Sequence, residues 1–238
     1  MCQIPHEHQN HNHDHEHEHH NHEHNHGDEE DYINIPRLGE KASHFNVPTT
    51  MGTKTLNDYS NQWLILFSYN ADFAPVSASE LLDFAKYHGQ FKALGTEILA
   101  ISFDSLNSHI AWVLSLVDKT GVQISFPIAT DVDGSLAMEY GMICEEENAH
   151  QTARCLYIID DTQTVRYASY YPSEVGRNAA EVLRVLKALK KFNGSQMAAP
   201  AAWQEGDKGL MSPPTTVKEA LDANADKNNL DWYFSLRD

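Results

Sequence analysis

Cysteine is scarce in this chain: three residues in 238, Cys2, Cys144 and Cys155. An odd number with no secretory signal argues against a disulfide framework and for a reducing compartment. Long apolar runs are missing too. None approaches the roughly 18–20 residues a membrane-spanning helix needs, so no membrane partner is expected. Basic residues are few, 17 Lys and Arg against 34 Asp and Glu, and the formal net charge of -17 argues against nucleic acid or an anionic lipid surface as partner. These absences predict a cytoplasmic protein, long enough for one domain of ordinary size plus an appendage.

Lys and Arg are absent altogether from residues 1–31, where apolar side chains are also rare. Such a segment cannot bury enough surface to offset ordering its backbone, so a disordered tail is expected. Without positive charge it does not read as a targeting peptide. What the segment has is histidine: His6, His8, His11, His13, His15, His17, His19, His20, His22, His24 and His26 are eleven of the chain's fifteen. Imidazole ligates Zn, Ni and Cu, and histidines alternating with Asn, Glu and Asp can gather around an ion in many equivalent ways. Several labile sites are expected rather than one rigid one. A purification tag, or a solubilising tail with no metal role, is the alternative; Cys2 either adds a soft ligand or is incidental.

The rest is organised around Trp63 to Glu80, WLILFSYNADFAPVSASE. Trp63 to Phe67 suits a buried strand, Ser68 to Asp72 breaks it, and Pro75 fits the first turn of a following helix. Ser77 then falls on that first turn, and Leu81, Leu82, Phe84, Ala85 and Tyr87 recur near helical spacing. Free N–H groups and the helix dipole both favour negative charge there. A thiol would ionise readily at such a place, and a hydroxyl gains nothing comparable.

This segment resembles the active-site loop of the peroxiredoxins of the AhpC/TSA type, in particular the one-cysteine and archaeal groups, whose motif reads approximately HPADFTPVCTTE. The resemblance implies a thioredoxin-like α/β fold and thiol-dependent reduction of hydroperoxides without a required cofactor. In that family a cysteine attacks the peroxide O–O bond, a threonine positions the substrate and a proline shields the thiol. Asp72, Phe73, Pro75, Val76 and Glu80 match the motif. Tyr69 stands for its histidine, Asn70 for its proline, Ala74 for its threonine and Ser77 for its peroxidatic cysteine.

The other stretches agree. Pro36 to Pro48 resembles the family's opening loop, leading to a hairpin that ends near Thr53–Leu56. Strands are expected at Glu97–Ser102, Phe126–Thr130, Arg154–Asp160 and Thr164–Tyr171, the last two as antiparallel neighbours. Helices are expected at Ser108–Asp118, with Ile110, Val113, Leu114 and Val117 on one stripe, at Gly134–Tyr140 and at Ala179–Lys191. Domain boundaries follow: the tail at 1–31, a thioredoxin-like domain at 35–192, and at 193–238 an extension similar to that of the one-cysteine and archaeal relatives. Its end, Leu230 to Ser235, resembles the archaeal CLDWYFC tail, with Asn229 and Ser235 where those relatives carry cysteines.

Arg154 opens an apolar strand, so its charge needs a partner or solvent. The resemblance places it beside the nucleophile; an ordinary strand-end arginine paired with Glu80 is the other reading. Arg177 matches the family in a supporting role. His109, in HIAW, is expected to be structural, and Asp131 and Asp133 to serve a helix start rather than a metal. Neither remaining thiol reads as a substitute: Cys155 should face the opposite side of the sheet from Arg154, and Cys144 lies among Glu145, Glu146 and Glu147. Ser77 as a hydrolytic nucleophile would need a base, and the motif's histidine is Tyr69.

The candidate site is therefore Ser77, Glu80 and Arg154. The expectation is a catalytically impaired relative with a metal-gathering tail. An active peroxidase using Cys144 or a tail-bound metal, and a nickel or zinc storage protein, are the alternatives. The resemblance also implies a homodimer or a higher ring, for which Trp203, Trp232, Tyr233 and Phe234 are interface candidates or intrachain packing.

Overall fold

The computed structural model describes residues 35–144, 146, 150–226 and 229–238. The expected His-rich tail lies outside them. Its strands are β1 (Asn46–Val47), β2 (Lys54–Thr55), β3 (Trp63–Ser68), β4 (Thr96–Ser102), β5 (Ile128–Thr130), β6 (Arg154–Ile159), β7 (Val165–Tyr171), β8 (Met197–Ala198), β9 (Gly209–Met211) and β10 (Leu236–Arg237). Its helices are α1 (Pro75–Ala93), α2 (Leu106–Thr120), α3 (Ser135–Glu139), α4 (Ala179–Phe192) and α5 (Val217–Ala225), with a short 3-10 turn at Leu56–Tyr59.

The apolar runs become the middle of a five-stranded sheet in the order β5-β4-β3-β6-β7. β3, β4 and β5 run parallel, while β6 is antiparallel to both β3 and β7. Parallel neighbours need a crossover, and α1 and α2 supply it. The sheet is covered on both faces, which is why β3 and β6 read as unbroken apolar runs and every residue of each is buried. Alternation along the strands divides the core. Ile65, Phe67, Leu156 and Ile158 meet Leu81 and Phe84 of α1 and Leu183 and Leu186 of α4. Leu64, Leu66, Cys155 and Tyr157 face the other way, with Phe45, Leu136 and Tyr140. This is the mixed-sheet thioredoxin-like α/β arrangement that the resemblance implied.

Two local expectations need correction. β5 is shorter than the apolar run at 126–130, with Phe126 and Pro127 before it. On α2 the stripe of Ile110, Val113, Leu114 and Val117 faces the core only in part: Val113 packs against it, Ile110 and Leu114 are 42% and 64% exposed, and the helix buries His109 and Trp112. Because Trp112 and His109 each fill a larger hole under the helix than an aliphatic side chain, they set its rotation.

Beyond α4, β8, β9 and β10 form a small antiparallel sheet in the order β10-β9-β8. Trp203 is 3% exposed and lies edge-on to Phe192 at 5.5 Å, so that aromatic packs within its own chain. Trp232 and Tyr233 remain 41% and 54% exposed. No helix among the described residues is long and apolar enough to cross a membrane.

Candidate active site

The sheet aims two things at one point: the N-terminus of α1, which leaves the end of β3, and the first residue of β6, which runs beside it. Pro75 occupies the first turn of α1, and Ala74 in the N-cap position offers no side-chain oxygen to the turn's amides. Ser77 sits there, fully buried, and Arg154 reaches it from β6 with Nη1 donating to Ser77 Oγ at 3.3 Å. The same Nη1 donates to Glu80 Oε2 at 2.6 Å, and Nε donates to the Ser173 carbonyl at 3.2 Å. All three residues expected from the sequence therefore meet.

Arg177 completes the cluster and has a larger part than sequence reasoning assigned. Its Nε and Nη2 donate to Glu80 at 2.7 and 2.9 Å, and its backbone N–H donates to Glu80 Oε1 at 2.8 Å. Its Nη1 donates to the Cys155 carbonyl at 2.7 Å, and the guanidinium lies 4.9 Å over the Phe67 ring. Glu80 thus accepts from two guanidiniums and one amide, a pairing dense enough for three charges to be buried together. Gly176 lets the loop before α4 press on α1, since a Cβ there would meet Val76 Cγ1 at 3.3 Å. With two cations and one carboxylate, the cluster carries one positive charge more than it balances.

A second buried group braces the loop between β3 and α1. Tyr69 donates its hydroxyl to Asp72 at 2.8 Å, His109 Nδ1 lies 2.9 Å from the same carboxylate, and His109 Nε2 lies 3.2 Å from the Ala129 carbonyl. His109 is thus structural, as expected, tying α2 to the loop and to β5. Burial and the Asp72 charge hold the Tyr69 phenol well above its ordinary value, so it stays a donor. Asp72 N–H donates to Asp104, and the Phe73 ring packs on Trp112 at 6.1 Å between centroids. These contacts hold Phe73 at φ 60, a left-handed conformation that costs an aromatic residue about 1–2 kcal/mol. The replacement of His by Tyr at position 69 was visible in the sequence; its partnership with His109 across 40 positions was not. Asn70, on the same loop, is 8% exposed with its Oδ1 unpartnered among the described residues.

Cys155 is fully buried in the core cluster on the sheet face away from Arg154, and Cys144 is exposed. Asp131 accepts the amides of Leu136 and Ala137 at 3.0 and 2.8 Å, the helix-start role expected of it. Among the described residues no three His, Cys, Asp or Glu side chains are placed to hold a metal ion. The histidines from His6 to His26 lie outside the described residues.

Comparison with known proteins agrees with this geometry. The model of the AhpC/TSA family matches residues 38–168. The chain is 42% identical over 197 residues to peroxiredoxin 2 of Picrophilus torridus, covering 83% of this chain and 96% of that one. Among solved structures, the yeast mitochondrial 1-Cys peroxiredoxin superposes with a TM-score of 0.75 at 30% identity, covering 85% of this chain and 100% of the other. A cysteine-to-serine mutant of peroxiredoxin 6 from Arenicola marina superposes with a TM-score of 0.71 at 32% identity, covering 78% and 88%. A loop that leads from a buried strand to a proline-started helix, with a buried arginine at its first turn, thus stands on a chain that belongs to the peroxiredoxins of the AhpC/TSA family.

Proposed function

We propose that this chain is a peroxiredoxin whose peroxidase chemistry is impaired because Ser77 occupies the position of the nucleophile. The observation that carries the reading is the placement of Ser77 Oγ, buried on the first turn of α1 and 3.3 Å from Arg154 Nη1. In the family's reaction, a thiolate attacks one oxygen of a hydroperoxide, the O–O bond breaks, and sulfur gives up two electrons as it becomes a sulfenic acid. Oxygen cannot take that part. Attack by the Ser77 hydroxyl would trade one O–O bond for another and reduce nothing. Its proton also has no base in contact, since Arg154 only donates.

The loss extends around the nucleophile. Ala74 has no hydroxyl with which to hold a peroxide, and Asn70 replaces the shielding proline. An alternative is an active peroxidase that uses another thiol, and it finds little support here: Cys155 is buried on the opposite sheet face, and Cys144 is exposed with no cation bonded to it among the described residues. Hydroperoxide remains the substrate class that the family's reaction would bring to this cationic cluster. The second part of the proposal is that residues 1–31 bind Zn, Ni or Cu, carried by eleven closely spaced histidines; a storage role for nickel or zinc is the further form of this reading. We place the protein in the cytoplasm, in keeping with its three cysteines in 238 residues.

A homodimer, or a ring of dimers, fits the surfaces. β7 ends the sheet, its outer edge met at the Val165 end by Gly39 and Glu40, and α5 has no buried residue. Val217, Leu221, Leu230 and Tyr233 are all more than half exposed. An apolar arm of this kind suits a second copy.

The deciding experiment is peroxide turnover with a thiol donor by the unmodified chain and by the double variant Ser77→Cys, Ala74→Thr. The unmodified chain should be inactive and the double variant should gain turnover by several orders of magnitude. Metal-independent turnover by the unmodified chain would end the proposal.

A further inference from the structure

We propose that Lys190 is an acylation site whose acyl donor is an acyl phosphate. A cavity of about 490 Å³ lies between the ends of α1 and α4 and the loop joining β8 to β9, and Leu94, Lys187, Lys190, Lys191 and Trp203 are on its wall. Lys190 is half-buried there, with Nζ 4.5 Å from the centroid of the Trp63 ring. An indole face attracts an ammonium, so the ring fixes where the nitrogen sits. Lys190 makes no ion pair among the described residues, whereas Lys187 Nζ lies 2.6 Å from Glu205. Loss of its proton therefore breaks no ion pair, only the contact with the ring. Burial holds the Lys190 amine below the ordinary value of 10.5, against the opposing charge of Asp161. The result is a positioned lysine on a cavity wall with more neutral amine than an exposed one, which is the form that attacks.

The other charges around the cavity select the donor. Its carboxylates are engaged: Glu205 with Lys187, Asp238 at 3.7 Å from Lys208 Nζ, and Asp207 with the Gln204 amide at 2.8 Å. Lys191 is exposed and makes no ion pair among the described residues, so a cation stands beside the nucleophile to meet a phosphate. In the transfer the Nζ lone pair attacks the acyl carbon, the C–N bond forms, and the C–O bond to phosphorus breaks. Inorganic phosphate leaves with that electron pair, and the amine proton passes to water. The amide is neutral, so the half-buried position no longer holds a charge.

The test is incubation of the full chain with acetyl phosphate at mildly alkaline pH, with acetylation followed lysine by lysine by mass spectrometry. Lys190 should react several-fold faster than its neighbour Lys191, and the two should become equal in urea, where burial is lost. The rate at Lys190 should level off at a lower pH in the folded chain than in the unfolded one, because a lowered pKa leaves more neutral amine at each pH below it. Lys191→Gln, a change on an exposed side chain, should slow Lys190 several-fold towards acetyl phosphate and leave its reaction with uncharged p-nitrophenyl acetate unchanged. Equal rates at the two lysines of the folded chain, or a lead that survives urea, would overturn the site. Equal reactivity of Lys191→Gln and the unmodified chain towards acetyl phosphate would overturn the donor. Ser77, Glu80 and Arg154 take no part, so peroxide turnover does not bear on this site.

Discussion

At the scale of single residues, Glu80 holds the site together. It is the one carboxylate between Arg154 and Arg177, and both lie within 2.9 Å of it. Glu80→Gln keeps the shape and removes the charge, leaving two buried guanidiniums facing an amide. Breaking a buried pair in this way costs about 3–5 kcal/mol. Urea denaturation should show a loss of that size; a loss under about 1 kcal/mol would mean that water reaches the cluster. His88 on α1 makes a pH-dependent contribution. It is 8% exposed, its Nε2 has no partner among the described residues, and its ring lies 5.6 Å from Phe126. Burial lowers its pKa below the ordinary value of 6.5, so the unfolded chain takes up the proton first as pH falls. The stability from neutral His88 is present above pH 6.5 and is lost as pH falls through the lowered value. His88→Phe should therefore lose less denaturation midpoint between neutral and mildly acidic pH than the unmodified chain does. Equal losses in both would show that His88 is hydrated. Glu80 and Ser77 were legible because both sit in a motif, whereas His88 carries no mark in the sequence beyond a helical position.

At the scale of elements, what could be read was what is local. β3, β4 and β6 announce themselves as apolar runs because both faces of the sheet are covered. α1 announces itself by Pro75 and its repeat. α2 was misread in part because its aliphatic residues fall on two faces, Val113 and Leu116 on one and Ile110 and Leu114 on the other, and periodicity cannot choose between them when the decisive fillers are Trp112 and His109. The exposed Ile110 and Leu114 are the face left over. The edge position of β7 was equally hidden, since pairing order depends on contacts far apart in the chain. That edge leads to a prediction. Gly39 and Glu40 bond the backbone of Val165, and the rest of the strand, as far as Tyr171, is an edge that invites a second strand, with Tyr170 on it 56% exposed. Light scattering should report about twice the 26.9 kDa chain mass, and Tyr170→Asp should shift the particle towards the monomer by bringing like charges together across the edge. A monomer at all concentrations would rule out the edge as an interface.

At the scale of the whole molecule, chemistry is divided between two parts of the chain. Residues 35–238 hold the peroxiredoxin framework, with Ser77 on the first turn of α1, while eleven of the fifteen histidines crowd into residues 1–31. Among the described residues no cluster is placed to hold a metal, and the metal affinity proposed above is assigned to the eleven histidines of residues 1–31. Alternating imidazoles form several interchangeable sites, and occupancy should climb gradually with added nickel or zinc instead of saturating at one equivalent. Bound imidazole must be neutral, so affinity should fall as pH drops below the ordinary histidine value of about 6.5. Deleting residues 1–31 should abolish nickel uptake measured by equilibrium dialysis and leave the thermal unfolding of the rest unchanged. Nickel uptake that survives the deletion would move the metal site into the domain and remove the tail from the function.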